Sequence, residues 1–124
     1  LLAGDATEAA EEPFDTGRFE KRTLVARCDD PMQLAVLPDG DLLFIERTGS
    51  VRHCRSDGSE LRTVFRVPVA VFGEVGLLGL AIAPDFATSG HLYLSYCPAD
   101  EPSTIRLSRF VWSSGTIDPA DEIK

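Results

Sequence analysis

An apolar stretch ending in Pro-Asp occurs twice along this chain, as Gln33-Leu34-Ala35-Val36-Leu37-Pro38-Asp39 and as Gly79-Leu80-Ala81-Ile82-Ala83-Pro84-Asp85, at an offset of 46 residues (80 minus 34). Each copy is followed by a second apolar run, Asp41-Leu42-Leu43-Phe44-Ile45-Glu46 and His91-Leu92-Tyr93-Leu94-Ser95-Tyr96. A strand-rich repeat of roughly 40 to 50 residues is the mark of propeller blades, sheets that cannot bury their faces alone and so stack on one another. The expected fold is therefore all-β: a partial β-propeller of about two four-stranded antiparallel blades.

The turn residues divide each copy into strands. In the first unit, residues 33–37 read as an inner strand buried on both faces, and Pro38-Asp39-Gly40-Asp41 supplies a hairpin turn. Residues 42–46 form the second strand, Thr48-Gly49 reverses the chain, residues 50–54 alternate as a third, and Ser56-Asp57-Gly58-Ser59 leads to a fourth at 63–67. The second unit starts after a loop at 68–76 that is longer than a hairpin needs, and long loops on rigid scaffolds are where function concentrates. Its strands are expected at 79–82, 92–96 and 105–112, with the sequence stopping near Asp118-Pro119 before a fourth.

A closed propeller takes four to eight blades, so the chain reads as the N-terminal piece of something longer. Alone it is expected to expose unpaired edges and apolar surface and to aggregate. Residues 1–18 are expected to be a disordered or leader segment: the acidic, Ala-rich run 5–12 lacks the apolar content to fold, and Leu1-Leu2-Ala3-Gly4 is compatible with the tail of a cleaved signal sequence. Residues 19–124 are then the propeller part. Within them, 19–25 carries a short apolar alternation that leads into the turn cluster Cys28-Asp29-Asp30-Pro31.

Charge and motifs exclude several functions. The net charge of -8 and the lack of a basic stripe argue against nucleic acid, whose binding rests on clustered Lys and Arg. No apolar run approaches the ~18 residues of a membrane span. There is no G-x-S-x-G elbow and no phosphate-cradling loop. Cys28, Cys54 and Cys97 form no CxxC pair and have no His at zinc spacing, which leaves open one disulfide with a free thiol or three free thiols. Tyr93, Tyr96, Phe110 and Trp112 follow strand periodicity and are expected to fill the space between blades, although exposed aromatics could bind sugar.

The ordered set Pro31-Met32-Gln33-Leu34-Ala35 with Pro38-Asp39-Gly40, Glu46-Arg47-x-Gly49, Glu74-Val75-Gly76-Leu77-Leu78-Gly79-Leu80-Ala81-x-x-Pro84-Asp85-Phe86, Leu92-Tyr93-x-x-Tyr96 and Ser108-Arg109-Phe110 resembles the opening of the glucose/sorbosone dehydrogenase family. Members are six-bladed propellers that use pyrroloquinoline quinone (PQQ). The opening is most similar to large bacterial members joined to cytochrome c modules. The resemblance implies a periplasmic or secreted aldose- or alcohol-oxidising quinoprotein, with calcium holding and polarising the cofactor, a histidine taking the hydroxyl proton, and a cytochrome c as a possible electron acceptor.

The family's histidine lies in a His-x-Gly-Gly-type stretch beyond the end of this sequence. Neither His53 nor His91 matches it, and both are expected to be structural or at the surface. No quinone or calcium is therefore expected to be bound by these residues alone.

One position carries over from the resemblance. The family places Gln or Glu just before Gly-Leu-Leu-Gly at the mouth of the propeller, and here it is Glu74. An ionised carboxylate only accepts hydrogen bonds, so it suits a substrate hydroxyl or a protonated base; the alternative is a solvated loop glutamate. Gly76 and Gly79 either admit a ligand or allow tight backbone approach, and Glu46 and Arg47 either form an ion pair or touch the rim of the site. Ala83 stands where many relatives have His. The competing function is a non-catalytic propeller that binds a carbohydrate or protein partner, which fold alone does not exclude.

Overall fold

A computed structural model describes residues 16–124; most of the expected leader at 1–18 lies outside them. The strands are β1 (Pro31–Val36), β2 (Leu42–Glu46), β3 (Ser50–Cys54), β4 (Arg62–Arg66), β5 (Leu77–Ile82), β6 (His91–Tyr96), β7 (Arg106–Ser113) and β8 (Thr116–Ile117). They form two four-stranded antiparallel meanders, β1-β2-β3-β4 and β5-β6-β7-β8. The two Leu-Ala strands thus hold the same first place in separate sheets, and both carry a register irregularity at matching points, between Pro31 and Gln33 and between Leu77 and Gly79.

Strand alternation gives each sheet two faces, and the sheets stack with unlike faces together. Ala35, Leu43, Ile45, Val51 and Phe65 of the first sheet meet Leu80, Leu92, Leu94 and Phe110 of the second. The Phe65 and Phe110 rings lie 5.1 Å apart, and the His53 ring lies 5.4 Å from that of Trp112. Near the inner strands, the Gln33 side-chain carbonyl accepts the Leu80 N–H at 3.0 Å. Burial on this scale, at about 1.5–3 kcal/mol per large apolar side chain, is what holds two such sheets face to face. Tyr96 and Phe110 are buried here as expected, whereas Tyr93 points to the other face of its sheet.

Two expectations need correction. Strand β1 is not buried on both faces: Leu34 is 60% and Val36 59% exposed. Only the Ala35 side meets the second sheet, and the Leu34 side is flanked by the segment that includes Leu24, Val25 and Cys28 rather than by a sheet.

The second unit also has its fourth strand. Ser114 (φ 52°) and Gly115 (φ 79°) form the two-residue loop between paired Ser113 and Thr116, a reversal whose two positive φ values match the twist of a hairpin. Strand β8 is then interrupted by a 3-10 turn at Pro119–Asp121, which Asp118 caps by accepting the Ala120 N–H. Pairing resumes where Arg109 and Ile123 exchange backbone bonds of 2.8 and 2.9 Å.

After β5 the chain makes one helical turn, α1 (Phe86–Ser89), closed by Gly90 in the left-handed conformation. No helix among the described residues is long and apolar enough to cross a membrane.

Candidate active site

The antiparallel meander gives the stack two ends. At one end lie the start of β1, the end of β2, the start of β5 and the end of β6, together with the loops at 68–76 and 97–105. Glu74 is exposed at this end, on a tight turn closed by the Val75 N–H donating to the Phe72 carbonyl at 2.8 Å, with Gly73 at φ 51°. It borders a cleft of about 520 Å³ whose walls include Phe72, Val75, Leu78, Pro102 and Ile105.

The two loops are joined at their bases. Val69 and Pro98 form an isolated bridge, Ala70 N–H donates to the Cys97 carbonyl at 3.0 Å, and Cys97 N–H donates to the Gly76 carbonyl at 3.0 Å. The cleft therefore has walls fixed to the sheets beneath them.

Glu46 and Arg47 do not pair with each other, because successive strand residues face opposite sides. Glu46 is buried, accepts the Asp29 N–H at 2.9 Å and lies 3.3 Å from Arg52. Arg47 lies on the Glu74 side: its Nε is 2.6 Å from Asp30 Oδ2, and one Nη donates to the carbonyls of Gly73 at 3.0 Å and Val75 at 3.2 Å. A Cβ on Gly76 would collide with the Arg47 backbone carbonyl, so close backbone approach accounts for this glycine. A Cβ on Gly79 would crowd the Ser95 hydroxyl.

Both histidines lie at the opposite end of the stack from Glu74. His53 is buried with Nε2 at 3.2 Å from Asp41 Oδ2. His91 opens β6, and its backbone N–H donates to Ser89 Oγ. The three cysteines are free thiols, Cys28 exposed and Cys54 and Cys97 buried; burial, then the nearby Asp41 charge, pushes the Cys54 thiol upward.

One polar cluster escaped the sequence reading. Glu122 Oε1 accepts from Tyr96 Oη at 2.7 Å and from Ser108 Oγ at 2.6 Å. Burial pushes the Glu122 carboxyl up, but the bonds from Ser108 and Tyr96 with the Lys124 and Arg106 charges outweigh it and hold the group below its ordinary value. Burial, then the bond to Glu122, raises Tyr96, so the proton stays on the phenol. The signal was Ser108 itself, a hydroxyl at an inward-facing strand position that must find a partner.

Two stacked four-stranded meanders, joined head to tail with a carboxylate-bearing loop at one end, define blades of a β-propeller. The chain belongs to the glucose/sorbosone dehydrogenase family, whose profile matches residues 28–121. It is 33% identical over 81 residues to quinoprotein glucose dehydrogenase B of Acinetobacter calcoaceticus, covering 62% of this chain and 17% of that protein. It is 39% identical over 72 residues to aldose sugar dehydrogenase YliI of Escherichia coli K12, covering 56% of this chain and 19% of that protein. Among solved structures, the PQQ-bound aldose sugar dehydrogenase of Streptomyces coelicolor superposes with a TM-score of 0.68 at 30% identity, over 78% of this chain and 31% of its own. The chain thus spans under a fifth of the curated relatives it matches.

At this end of the stack Arg47 is paired with Asp30, Arg66 donates to Ser50 Oγ and Arg106 donates to Glu101. Among the described residues no group of three or more His, Cys, Asp or Glu gathers that could hold a metal ion. What this end offers chemically is an exposed carboxylate, carried on a hydrogen-bonded turn, beside an apolar cleft.

Proposed function

We propose that residues 19–124 are the N-terminal part of a PQQ-dependent sugar dehydrogenase domain. In the complete protein a sugar hydroxyl is oxidised, and the quinone when bound supplies the hydride acceptor. The observation that carries this reading is Glu74 on its fixed turn at the mouth of the cleft, in a chain whose relatives are sugar dehydrogenases. Its carboxylate accepts hydrogen bonds and cannot donate them, so it recognises a sugar hydroxyl or the protonated form of a base supplied from further along the protein. Calcium, a periplasmic or secreted location and a cytochrome c electron acceptor belong to the same proposal.

The test is dye reduction with aldoses by the longer protein supplied with PQQ and calcium. Glu74→Gln is expected to weaken sugar use about 10- to 100-fold in kcat/KM, the range for a hydrogen bond to a charged group. Unchanged turnover and unchanged sugar affinity would remove Glu74 from the site. Sugar binding without dye reduction would replace the enzyme by the non-catalytic binding module.

A further inference from the structure

Arg47 is the residue immediately after β2, and its backbone already ties the two sheets together. Its N–H donates to the Asp30 carbonyl at 2.9 Å, and its own carbonyl accepts the Leu77 N–H at 2.9 Å. Its side chain turns toward the Glu74 loop, with the guanidinium carrying the Asp30 contact on Nε and both loop carbonyls on one Nη. Those carbonyls belong to Gly73 and Val75, the residues on either side of Glu74.

We infer that Arg47 is a positioning residue whose guanidinium clasps the Phe72-Gly73-Glu74-Val75 turn against the first sheet and so sets the direction in which Glu74 faces the cleft. The inference rests on the reading of Glu74 as a sugar contact.

The geometry explains why this side chain must be arginine. A change of backbone direction at Glu74 rotates the Gly73–Glu74 peptide and breaks the charge-assisted hydrogen bond of its carbonyl to Arg47, while the bond to the Val75 carbonyl anchors the far side of the turn. A planar guanidinium serves the carboxylate and the carbonyls at once from a fixed fork, whereas an ammonium is a single point charge on a flexible stem. The bond to the Val75 carbonyl is partly buried, while those to Asp30 and the Gly73 carbonyl are exposed, so water competes least for the Val75 contact. Gly76 completes the arrangement, since any larger residue would push the loop off the Arg47 carbonyl. Asp30 adopts φ 59°, a conformation that Asn tolerates as well, so the carboxylate charge can be removed there without backbone strain.

The experiment uses the full-length protein with Arg47→Lys, Asp30→Asn, Glu74→Gln and the Arg47→Lys/Glu74→Gln double variant, and reads amide hydrogen exchange at Val75 and Leu77, whose N–H groups donate to the Phe72 and Arg47 carbonyls, beside sugar kinetics. Loss of the clasp is expected to speed exchange at these amides about 10- to 100-fold while amides of β2 and β6 stay unchanged. Arg47→Lys should weaken sugar affinity in the same sense as Glu74→Gln, and the double variant should be no worse than Glu74→Gln alone, because the two residues act as a unit.

Unchanged exchange in both Arg47→Lys and Asp30→Asn would overturn the clasp, and so would losses from Arg47→Lys and Glu74→Gln that simply add. Faster exchange with sugar affinity untouched by any of the variants would leave the clasp standing and remove the sugar role of Glu74. Should Arg47→Lys fail to fold, Asp30→Asn carries the same exchange measurement.

Discussion

Leu34 and Leu80 occupy the same place in the two copies of the repeat, yet Leu34 is 60% exposed and Leu80 4%. Their strands share the sequence pattern, the first position in a sheet and the same register irregularity. What differs is the neighbour. Leu80 points at the first sheet's Ala35 and Leu43 face, whereas, among the described residues, the equivalent face of the first sheet has the irregular segment near Leu24 and Val25 beside it. Burial in a stacked fold is thus decided by what lies across the face, and each blade uses one face to receive a neighbour and the other to be received.

The largest expected effect follows from that pair. Leu80→Ala should destabilise the chain by about 2–5 kcal/mol, the cost of a cavity between the sheets, and Leu34→Ala by under about 0.5 kcal/mol, as for other surface changes. Urea unfolding followed through the fluorescence of Trp112, the single tryptophan, measures both. Equal costs would break the comparison by showing that the Leu34 face is covered too.

A smaller contrast separates the two hairpins that follow these strands. Pro38-Asp39-Gly40 closes directly into β2, while Pro84-Asp85-Phe86 opens into α1 before β6 begins. Gly40 has φ 90° with open space where a Cβ would go, and Gly90 has φ 65° with the Trp112 carbonyl in the way. Gly40→Ala should therefore cost about 1 kcal/mol, from the left-handed backbone alone. Gly90→Ala should cost about 2–3 kcal/mol, since a fixed carbonyl must shift as well. Paired thermal melts of the two variants give the difference, and reversal of their order would refute the steric account.

The sheet organisation was legible because Pro-Asp, Thr-Gly and Asp-Gly turn signals bracket short apolar runs, and local chemistry of that kind survives folding. The bounds of β2 and β3 agree with it residue for residue. Strand β8 was not legible, since two residues are too short to show a period, although Ser114-Gly115 carried the turn. The exposure of β1 was hidden for another reason: an apolar run records that a face is to be covered, without recording by what. At the candidate site, Glu74 could be singled out by family resemblance, but Arg47 could not be joined to it. The two are 27 residues apart (74 minus 47), and only the stacking of the second sheet on the first brings them together.

The outermost strands supply the last and smallest contrast. Strand β4 spans five residues with one register irregularity, whereas β8 holds two and is followed by a 3-10 turn. The weaker edge is fastened instead by Glu122, which ties the returning chain to Tyr96 and Ser108. Glu122→Gln keeps an acceptor and loses the charge, so the expected cost is about 1 kcal/mol. The cost must depend on pH in one direction only. The folded-state pKa lies below the ordinary 4.5, so the carboxylate's contribution is fully present above that value and fades as pH falls through the lower, folded one. The stability difference between the native chain and Glu122→Gln should accordingly be constant near neutrality and shrink in acid. A difference that instead grew as the pH was lowered would mean that the protonated acid, rather than the carboxylate, fastens this edge.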